Sequence, residues 1–363
     1  MKVVPIDLGE RSYPVYIGRD IADLGRVARE FDLGEKVLVI SSRPIASLYG
    51  REVRDALGSC GFQVSLARVP DGEKYKTLSW AAKLYEECAE DKLDRNSTIL
   101  ALGGGVIGDL AGFVASTYLR GINFIYLPTT LLAQVDASIG GKVGVDLPQG
   151  KNLVGSFYQP RFVYTDLKVL RTLPQAQIKE GLAEIIKYGV IEDKDLFLYL
   201  EQNLEKIKTL SLDSLEYIIT RCVQIKAAVV QEDEREKRGK RQVLNFGHTI
   251  GHAIESGTGY GRYSHGEAVA VGMIAAARIA KKMGFLPEDS LVRMENLVRR
   301  ADLPSRVEGV NGGKLWDALY LDKKIKGGKL YFVLPRRIGE VFLTDKVPLT
   351  LVREAIRELG VEK

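Results

Sequence analysis

The sequence is poor in histidine and cysteine, with three of each among 363 residues. Cys60, Cys88 and Cys222 lie far apart, are odd in number and include no C-x-x-C pair. This pattern is not that of a disulfide framework, and we expect reduced cysteines in a cytoplasmic protein.

The sequence also lacks any apolar run of about 20 residues, so it predicts no membrane-spanning helix. Residues 1–18 show no charged region followed by an apolar one, and we expect no signal peptide. The net charge is only +5, and the densest charged run, residues 231–241, mixes both signs. We therefore expect neither a nucleic-acid nor a membrane partner, although lysines in a cleft could bind an anionic substrate.

The first half of the chain alternates short apolar runs with amphipathic segments, a pattern typical of a parallel sheet covered by helices. A chain of this length favours two domains, and the change of pattern after Pro174 indicates a boundary between residues 166 and 174. We predict an α/β domain over 1–170 and a mainly α-helical domain over 171–363. The predicted strands are 37–40, 64–69, 98–102, 124–127, 161–165, 329–334 and 340–343. The predicted helices are 45–57, 74–90, one from the glycine loop through 117, 175–190, 215–230, 243–255, 266–283 and 291–300.

A glycine-rich loop, residues 103–109 (GGGVIGD), follows a predicted strand and opens a predicted helix. It satisfies G-x-G-x-x-G, whose glycines let the backbone approach a phosphate at a helix N-terminus. A plain tight turn is the alternative. The loop follows the third predicted strand, and the next acidic residue after Asp109 is Asp136, too far for the usual ribose contact. We expect a Rossmann-like fold of non-standard form.

The three histidines, His248, His252 and His265, lie close together in the sequence. His248 and His252 are four residues apart, so they lie on one helix face, as a two-histidine metal site requires. The alternative is a set of core histidines bonded to backbone carbonyls. A carboxylate would complete a catalytic metal site, and spacing alone does not choose among the candidates Glu184, Glu255 and Glu267.

Three lysines also stand in unusual positions. Lys142 and Lys151 lie beside glycines, and Lys187 follows Glu184 by three residues, so both project from one helix face. Ammonium groups so placed favour binding of a phosphate or carboxylate, and ordinary surface charge is the alternative.

The chain resembles the 3-dehydroquinate synthase family over almost its whole length. The matching segments are DGEKYKT (71–77), GGGVIGDLAGF (103–113), LPTTLLAQVDASIGGKVGVDLPQGKNLVGSFYQP (127–160), LPQAQIKEGLAEIIKYG (173–189), LNFGHTIGHAIE (244–255), YSHGEAVAVGM (263–273) and LDKKIKGG (321–328).

This resemblance implies NAD in the first domain and a divalent metal, usually zinc or else cobalt, in the second. It implies Glu184, His248 and His265 as metal ligands and His252 as an active-site histidine that does not bind the metal. The implied NAD contacts are Asp71, Glu73, Lys76, Gly104, Gly105, Val106 and onward to Asp109, Thr129, Thr130, Asp136, Lys142 and Lys151. The implied substrate and catalytic residues are Arg120, Asp136, Lys142, Asn152, Lys187, Lys226, Glu236, Arg241, Asn245, His252 and the Lys323-Lys324 pair, of which Lys324 is preferred.

The chain departs from the family pattern in two places. The Asp-x-Asn on the adenosine side reads Ser42-Arg43-Pro44 here, so the resemblance assigns no ribose contact there. The loop between Glu236 and Arg241 is one residue longer than usual.

The implied reaction converts 3-deoxy-D-arabino-heptulosonate 7-phosphate to 3-dehydroquinate and phosphate, a step of the shikimate pathway to chorismate and the aromatic amino acids. NAD⁺ takes hydride from C5, phosphate leaves after loss of the C6 proton, hydride returns, and an intramolecular aldol reaction closes the ring. The resemblance assigns Lewis-acid assistance at the C5 oxygen to the metal and proton transfer to His252.

Three alternatives remain at this point. Another sugar-phosphate cyclase, of the 2-deoxy-scyllo-inosose or valiolone synthase type, shares the NAD and metal motifs, but Arg241 and Asn245 favour a substrate with a carboxylate. A polyol dehydrogenase resembling glycerol dehydrogenase would release NADH. A non-catalytic metal-binding scaffold would not need lysines beside the glycines. The resemblance also implies a homodimer.

Overall fold

The computed structural model describes residues 1–259, 261–325 and 330–361, and of residues 320–325 only the helix that contains them. The chain forms two compact units, one of Met1–Leu173 with Leu215–Arg235 and the other of Pro174–Ser214 with Glu236–Lys363. Within the described ranges, none of the helices has the length and apolar character that crossing a membrane requires.

The first unit is built on a mostly parallel sheet in the order β1-β2-β9-β6-β5-β3-β4. Strands β1 and β2 pair antiparallel at one edge, and all other pairs in this sheet are parallel. A separate antiparallel hairpin joins β7 to β8. The strands are β1 (Lys2–Ile6), β2 (Tyr13–Gly18), β3 (Lys36–Ser42), β4 (Gln63–Val69), β5 (Thr98–Gly103), β6 (Asn123–Pro128), β7 (Lys142–Leu147), β8 (Gly150–Phe157) and β9 (Phe162–Asp166).

Helices pack on this sheet and bury its apolar side chains. Strands β5, β6 and β9 are buried along their whole length, which explains why their sequences are continuous apolar runs rather than alternating ones. Leu100, Leu102 and Ile125 of the sheet join Val53 and Leu57 in one hydrophobic core. The helices are α1 (Leu24–Ala28), α2 (Arg43–Gly58), α3 (Leu78–Glu90), α4 (Gly105–Thr117) and α7 (Leu212–Glu232), most of which belongs to this unit.

The strand order locates the ligand-binding edge of this sheet. The chain passes from β3 to β4 on one side, crosses back to β5 and continues to β6 on the other side. Ligands of such sheets bind beyond the carboxyl ends of the strands where the direction reverses, which here lies between β3 and β5. Because the glycine loop directly follows β5, the fold places it at this point.

The second unit is mainly helical. Its helix α9 is almost entirely buried and packs against α5 and α8. The elements are α5 (Gln175–Ile191), α6 (Lys194–Lys208), α8 (His248–Gly257), α9 (His265–Lys282), α10 (Glu288–Arg300), α11 (Gly312–Ile325), β10 (Phe332–Arg337), β11 (Glu340–Thr344) and α12 (Leu349–Glu358).

The predicted fold class, an α/β domain followed by a mainly helical one, is confirmed. The five strands predicted in the first half correspond to β3, β4, β5, β6 and β9. The sequence prediction missed the β1–β2 pair and the β7–β8 hairpin. Of the strand predicted at 329–334, residue 329 lies outside the described residues.

The single helix predicted over 243–255 is wrong. A 3-10 turn, Lys240–Asn245, comes first, and α8 begins only at His248. Gly247 separates them with a φ of +81°, which only glycine adopts readily, and a Cβ there would lie 2.6 Å from Met273 Cγ. The break places His248 at the first position of a helix instead of its middle.

Candidate active site

The glycine loop is shaped by close packing. Gly104 precedes α4, and a Cβ there would lie 2.9 Å from Thr130 Cγ2. A Cβ on Gly108 would lie 2.3 Å from the ring of Tyr126, so this third glycine of the motif lets α4 pack directly on β6. The N–H groups of the first turn of α4 therefore remain at the carboxyl edge of the sheet, where a phosphate can bind.

The segment after β6 lies beside this loop. Thr129 donates its backbone N–H to the Gly103 carbonyl at 3.0 Å. Its side-chain hydroxyl is buried and has no hydrogen-bond partner among the described residues. A buried hydroxyl in this state needs a ligand or water to satisfy it. The next turn, Ala133–Ala137, is π-helical and contains Asp136, and such turns are frequent at functional sites.

Lys76 is the centre of a polar cluster beside the loop. The side chain is almost completely buried, and its Nζ lies 2.8 Å from Glu73 Oε1, 3.3 Å from Asp109 Oδ2 and 2.8 Å from Asn152 Oδ1. A fourth oxygen, Asp146 Oδ1, lies 3.6 Å away. Two predicted NAD contacts, Glu73 and Asp109, and one predicted substrate contact, Asn152, thus meet at the ammonium group of Lys76, itself a predicted NAD contact.

The cluster holds more carboxylates than its one buried ammonium can neutralise. Burial raises the pKa of Asp109 to about 6; Lys76 opposes this rise, while Glu73 and Asp146 add to it. Burial alone would lower the pKa of Lys76, but Asp109 and Glu73 outweigh it and raise it. Lys76 is therefore charged at neutral pH, and its charge keeps the surrounding oxygens in place.

A second buried lysine in this unit contacts the π-helical turn. Lys226 of α7 donates to Asp136 Oδ1 at 2.7 Å and to the Asp136 carbonyl at 2.6 Å. Lys226 was predicted to belong to the helical domain, yet its segment packs with the first unit. The predicted boundary after residue 170 does not include this return of the chain, and the functional division of the domains stays a prediction.

The remaining predicted residues of this unit lie in turns and on the hairpin. Arg120 follows α4 with a φ of +70°, next to Leu119 at +49°, so two consecutive side-chain-bearing residues adopt the left-handed region. Lys142 begins β7 and is exposed. Lys151 Nζ lies 3.9 Å from Glu73 Oε1, whereas Asp71 is exposed in the turn before Glu73.

In the second unit, three helices bring Glu184, His248 and His265 together. Glu184 lies within α5, His248 is the first residue of α8, and His265 is the first residue of α9. The Nε2 atoms of both histidines lie 3.7 Å from Glu184 Oε1, and one ligand atom from each of the three lies within 4.8 Å of the others.

Each of the two histidines binds a protein group through its other nitrogen. His248 Nδ1 lies 3.1 Å from the Phe246 carbonyl, and His265 Nδ1 lies 3.3 Å from Glu255 Oε2. Metal-binding histidines characteristically donate their second N–H to such an acceptor, which leaves Nε2 to coordinate the metal. Burial, followed by the Lys187 charge, keeps the pKa of His248 well below its usual range, so this ring is neutral.

The three residues fit a divalent cation. Glu184 Oε1 is buried and has no hydrogen-bond donor among the described residues, although two imidazole nitrogens face it. Ligands about 2.1 Å from a tetrahedral zinc are separated by roughly 3.4 Å, close to the distances observed here. A buried carboxylate oxygen with imidazole neighbours and no donor is the arrangement that a bound cation explains.

The three candidate carboxylates have different roles. Glu184 faces both Nε2 atoms, whereas Glu255 accepts from His265 Nδ1. Glu267 forms the capping box of α9 with Ser264, accepting the Ser264 N–H at 2.9 Å. The tertiary contacts thus distinguish the roles of three carboxylates that spacing along the sequence does not distinguish.

His252 lies at the edge of this group. Its ring centroid is 5.3 Å from that of His248 and 6.1 Å from that of His265, and its side chain is exposed. One His252 nitrogen also lies within 4.8 Å of ligand atoms of Glu255 and His265. The Glu184 group is the better metal site, because its carboxylate is buried and its Nε2 atoms are oriented by other acceptors.

The other predicted residues of this unit include two buried cations. Lys187 is buried, and its Nζ contacts Glu184 Oε2. Arg241 is also buried, and its Nε lies 3.6 Å from Glu236 Oε1. Asn245 ends the 3-10 turn before α8. The side chains of Lys323 and Lys324 lie outside the described part of the chain.

Two residues with site contacts were missed by the sequence interpretation, which assigned no role to Asp146 or Glu180. Asp146 lies in the GVD segment after Lys142. An acidic residue among glycines was the only feature of the sequence that could have indicated a role in the site. Glu180 precedes Glu184 by one helical turn, and burial raises the pKa of its carboxyl despite the opposing effect of His265.

Comparison with known proteins decides the family. The models of the 3-dehydroquinate synthase N-terminal and C-terminal domains match residues 66–180 and 181–325. A 3-dehydroquinate synthase of Desulforamulus reducens is 50% identical over 343 residues, covering 94% of this chain and 95% of the relative. The chain belongs to the 3-dehydroquinate synthase family.

Two solved structures of sugar-phosphate cyclases share the fold of this family member. One is a 2-deoxy-scyllo-inosose synthase with carbaglucose-6-phosphate, NAD⁺ and Co²⁺, 31% identical, with a TM-score of 0.87 and coverage of 98% of this chain and 100% of that one. The other is a 2-epi-5-epi-valiolone synthase from Streptomyces hygroscopicus subsp. jinggangensis with NAD⁺ and Zn²⁺, 26% identical, with a TM-score of 0.89 and 99% coverage of both.

Proposed function

We propose that this protein is a 3-dehydroquinate synthase, a lyase that converts 3-deoxy-D-arabino-heptulosonate 7-phosphate to 3-dehydroquinate and phosphate. The observation that carries the proposal is the Glu184, His248 and His265 cluster in a chain half identical to a curated member of the family. The high identity over nearly the whole chain favours this reaction over that of the other cyclases, which are 31% and 26% identical.

The proposed metal ligands are Glu184, His248 and His265, with zinc or cobalt as the ion. When bound, the ion supplies Lewis acidity at a substrate oxygen and NAD supplies a hydride acceptor. Glu255 and the Phe246 carbonyl hold the two imidazoles with Nε2 directed at Glu184. The orphaned Glu184 oxygen supports this assignment.

The proposed NAD site is the carboxyl edge of the first unit. The N-terminal turn of α4 presents N–H groups to a pyrophosphate. The buried Thr129 hydroxyl can form a hydrogen bond with the bound cofactor. Lys76 and Asp136 complete the polar lining. The full proposed set is Asp71, Glu73, Lys76, Gly104, Gly105, Val106, Asp109, Thr129, Thr130, Asp136, Lys142 and Lys151.

The proposed substrate contacts are cations and amides, as a molecule with both a phosphate and a carboxylate requires. Lys187 and Arg241 are the buried cations of this set in the second unit, and Lys226 is the buried cation in the first. Cations that orient an anionic group of the substrate accelerate every later step. His252, which is exposed beside the metal-site histidines, moves the proton at the C5 hydroxyl. The other proposed members are Arg120, Lys142, Asn152, Glu236, Asn245 and Lys324.

Phosphate release from the heptulosonate phosphate tests this function directly. We expect turnover with NAD and zinc, loss of turnover with a chelator, recovery on adding zinc or cobalt, and no net NADH. Release of phosphate from glucose 6-phosphate or ring closure of sedoheptulose 7-phosphate, without activity on the heptulosonate phosphate, would instead identify another cyclase. Net NADH production from a polyol would identify a dehydrogenase.

We propose in addition that the enzyme acts as a cytoplasmic homodimer. Sedimentation equilibrium of the purified protein tests the assembly, and fractionation of the source cells tests the location. A monomer at micromolar concentration would reject the homodimer and leave the catalytic proposal intact.

A further inference from the structure

The hairpin of β7 and β8 is irregular where its two strands turn. Its register shifts between Val145 and Leu147, so Asp146 stands at a bulge. The Asp146 N–H donates to a residue outside the hairpin, the Lys76 carbonyl, at 2.8 Å. Asp146 also forms an isolated parallel bridge with Thr77. The bulge thus fastens the hairpin to the chain segment that contains Lys76.

The Asp146 carboxylate controls the residue opposite it. Asp146 Oδ1 accepts the backbone N–H of Asn152 at 2.7 Å. Asn152 has a φ of +56°, a left-handed conformation that is unfavourable for residues with a side chain, although asparagine tolerates it better than most. A charge-assisted hydrogen bond at that N–H stabilises this conformation.

The conformation of Asn152 determines where its amide points. Asn152 Oδ1 accepts from Lys76 Nζ at 2.8 Å, which leaves the two N–H donors of the amide for a ligand. Asn152 itself is exposed, while the side chains of Lys76 and Asp146 are only 4% and 16% exposed. A buried lysine and a partly buried aspartate therefore support an exposed donor.

We propose that Asp146 is a positioning residue that holds Asn152 in its left-handed conformation, so that the Asn152 amide donates to the phosphorylated substrate while its oxygen remains on Lys76. This inference rests on the proposed function for the role of Asn152. It assigns Asp146 no direct contact with substrate or NAD.

Substitution of Asp146 separates its hydrogen bond from its charge. Asp146→Asn keeps an acceptor for the Asn152 N–H, and we expect the KM for the heptulosonate phosphate to stay within about threefold of wild type. Asp146→Ala removes the acceptor, and we expect KM to rise at least about tenfold with kcat changed less than about threefold. An equal rise in KM in both variants would show that the charge beside Lys76 causes the effect, and would overturn the proposal. An unchanged KM in Asp146→Ala would overturn it as well.

A glycine at position 152 provides the second test, in which the left-handed backbone conformation no longer depends on Asp146. Glycine adopts a positive φ without help, so Asp146→Ala should change KM by less than about twofold when added to Asn152→Gly. Full additivity of the two substitutions would contradict a role through the Asn152 backbone.

Asp94→Ala is the matched control. Asp94 likewise accepts backbone N–H groups, from Asn96 and Ser97, but at the amino end of β5, the opposite edge of the sheet. We expect no change in KM there.

Hydrogen exchange keeps this inference separate from the proposed function. The backbone N–H of Asn152 should exchange with solvent at least about tenfold faster in Asp146→Ala than in wild type. In Asp146→Asn it should exchange at the wild-type rate. That result would establish the conformational role even if wild-type protein released no phosphate, a failure that would reject only the substrate assignment. Unchanged exchange in Asp146→Ala overturns the inference outright.

Discussion

His248 and His252 are four residues apart on one helix, yet their surroundings differ. His248 begins α8, with Nδ1 on the Phe246 carbonyl and Nε2 facing Glu184. His252 is exposed and lies one turn further on. Spacing favours the two as a ligand pair, but the positions of the ring nitrogens favour His265 as the second ligand, because its Nε2 faces the same carboxylate oxygen.

This difference predicts opposite results for two identical substitutions. His265→Ala removes a proposed ligand, so zinc content and turnover should be lost together. His252→Ala should keep about one zinc per chain and lose rate by roughly 10²- to 10⁴-fold, as loss of a proton-transfer group does. Metal analysis of both purified variants beside their phosphate-release rates checks this. Equal loss of zinc in both would make His252 a ligand and reject the assignment.

Asp109 predicts a pH dependence of stability. Burial raises its pKa to about 6 from an ordinary 3.8, so the folded protein binds this proton more tightly than the unfolded chain does. Its contribution to stability is complete below about pH 4 and is lost as the pH rises through about 6. Because Asp109→Asn stays neutral, its melting temperature relative to wild type, without NAD, should be higher at pH 8 than at pH 5, by the equivalent of roughly 1.4 kcal/mol.

Asp94→Asn is the control for this pH effect. Bonds from Ser97 lower the pKa of Asp94, so it stays ionised throughout this range. Its melting difference from wild type should therefore be the same at pH 5 and pH 8. A flat difference for Asp109→Asn as well would show that its carboxyl is not perturbed in the folded protein.

The position of helix α4 depends on the absence of a side chain at Gly108. Gly108 allows the helix to contact the Tyr126 ring, whose hydroxyl donates to the Gly104 carbonyl at 2.9 Å. Gly108→Ala would insert a Cβ 2.3 Å from that ring and force α4 away from β6. We expect a loss of about 1–3 kcal/mol in unfolding free energy and weaker NAD binding, measured by denaturant unfolding and by titration.

Gly58→Ala is the matched control for Gly108→Ala. Gly58 ends α2, and a Cβ there would meet nothing within 4 Å. The replacement should leave stability unchanged or raise it by up to about 1 kcal/mol, since alanine restricts the unfolded chain. A similar loss in both variants would contradict an effect of packing between α4 and the Tyr126 ring, because Gly58 has no such contact.

At the scale of the whole molecule, the two proposed ligand sites belong to different units. The proposed metal ligands all lie in the second unit, and the proposed NAD contacts all lie in the first. Each ligand stabilises the folded form that binds it, by about 2.7 kcal/mol at a concentration 100 times its Kd. Zinc should therefore raise the melting temperature of wild type but not of His248→Ala, in which the rise caused by NAD should persist.

Lys76→Met should show the reverse pattern. Loss of the buried ammonium leaves Glu73 and Asp109 uncompensated, so NAD should no longer stabilise the protein while zinc still does. Loss of both responses in either variant would contradict the assignment of one ligand to each unit.

Much of this protein is determined by its sequence. Continuous apolar runs predict β5, β6 and β9, because strands buried on both faces have no polar side to alternate with. The glycine loop and the three histidines stand out by residue type alone, and extended motifs such as residues 127–160 identify the family. All of these are local in the chain or depend on similarity to known sequences.

Only the tertiary structure decided which residues act together. Glu184 is far from His248 in sequence, and folding brings it to both Nε2 atoms while Glu255 and Glu267 take other partners. The return of α7 to the first unit, with Lys226 on Asp136, was equally invisible. The physical reason is that a hydrogen bond or a metal bond depends on distance and direction in space, which spacing along the chain fixes only within a single helix or strand.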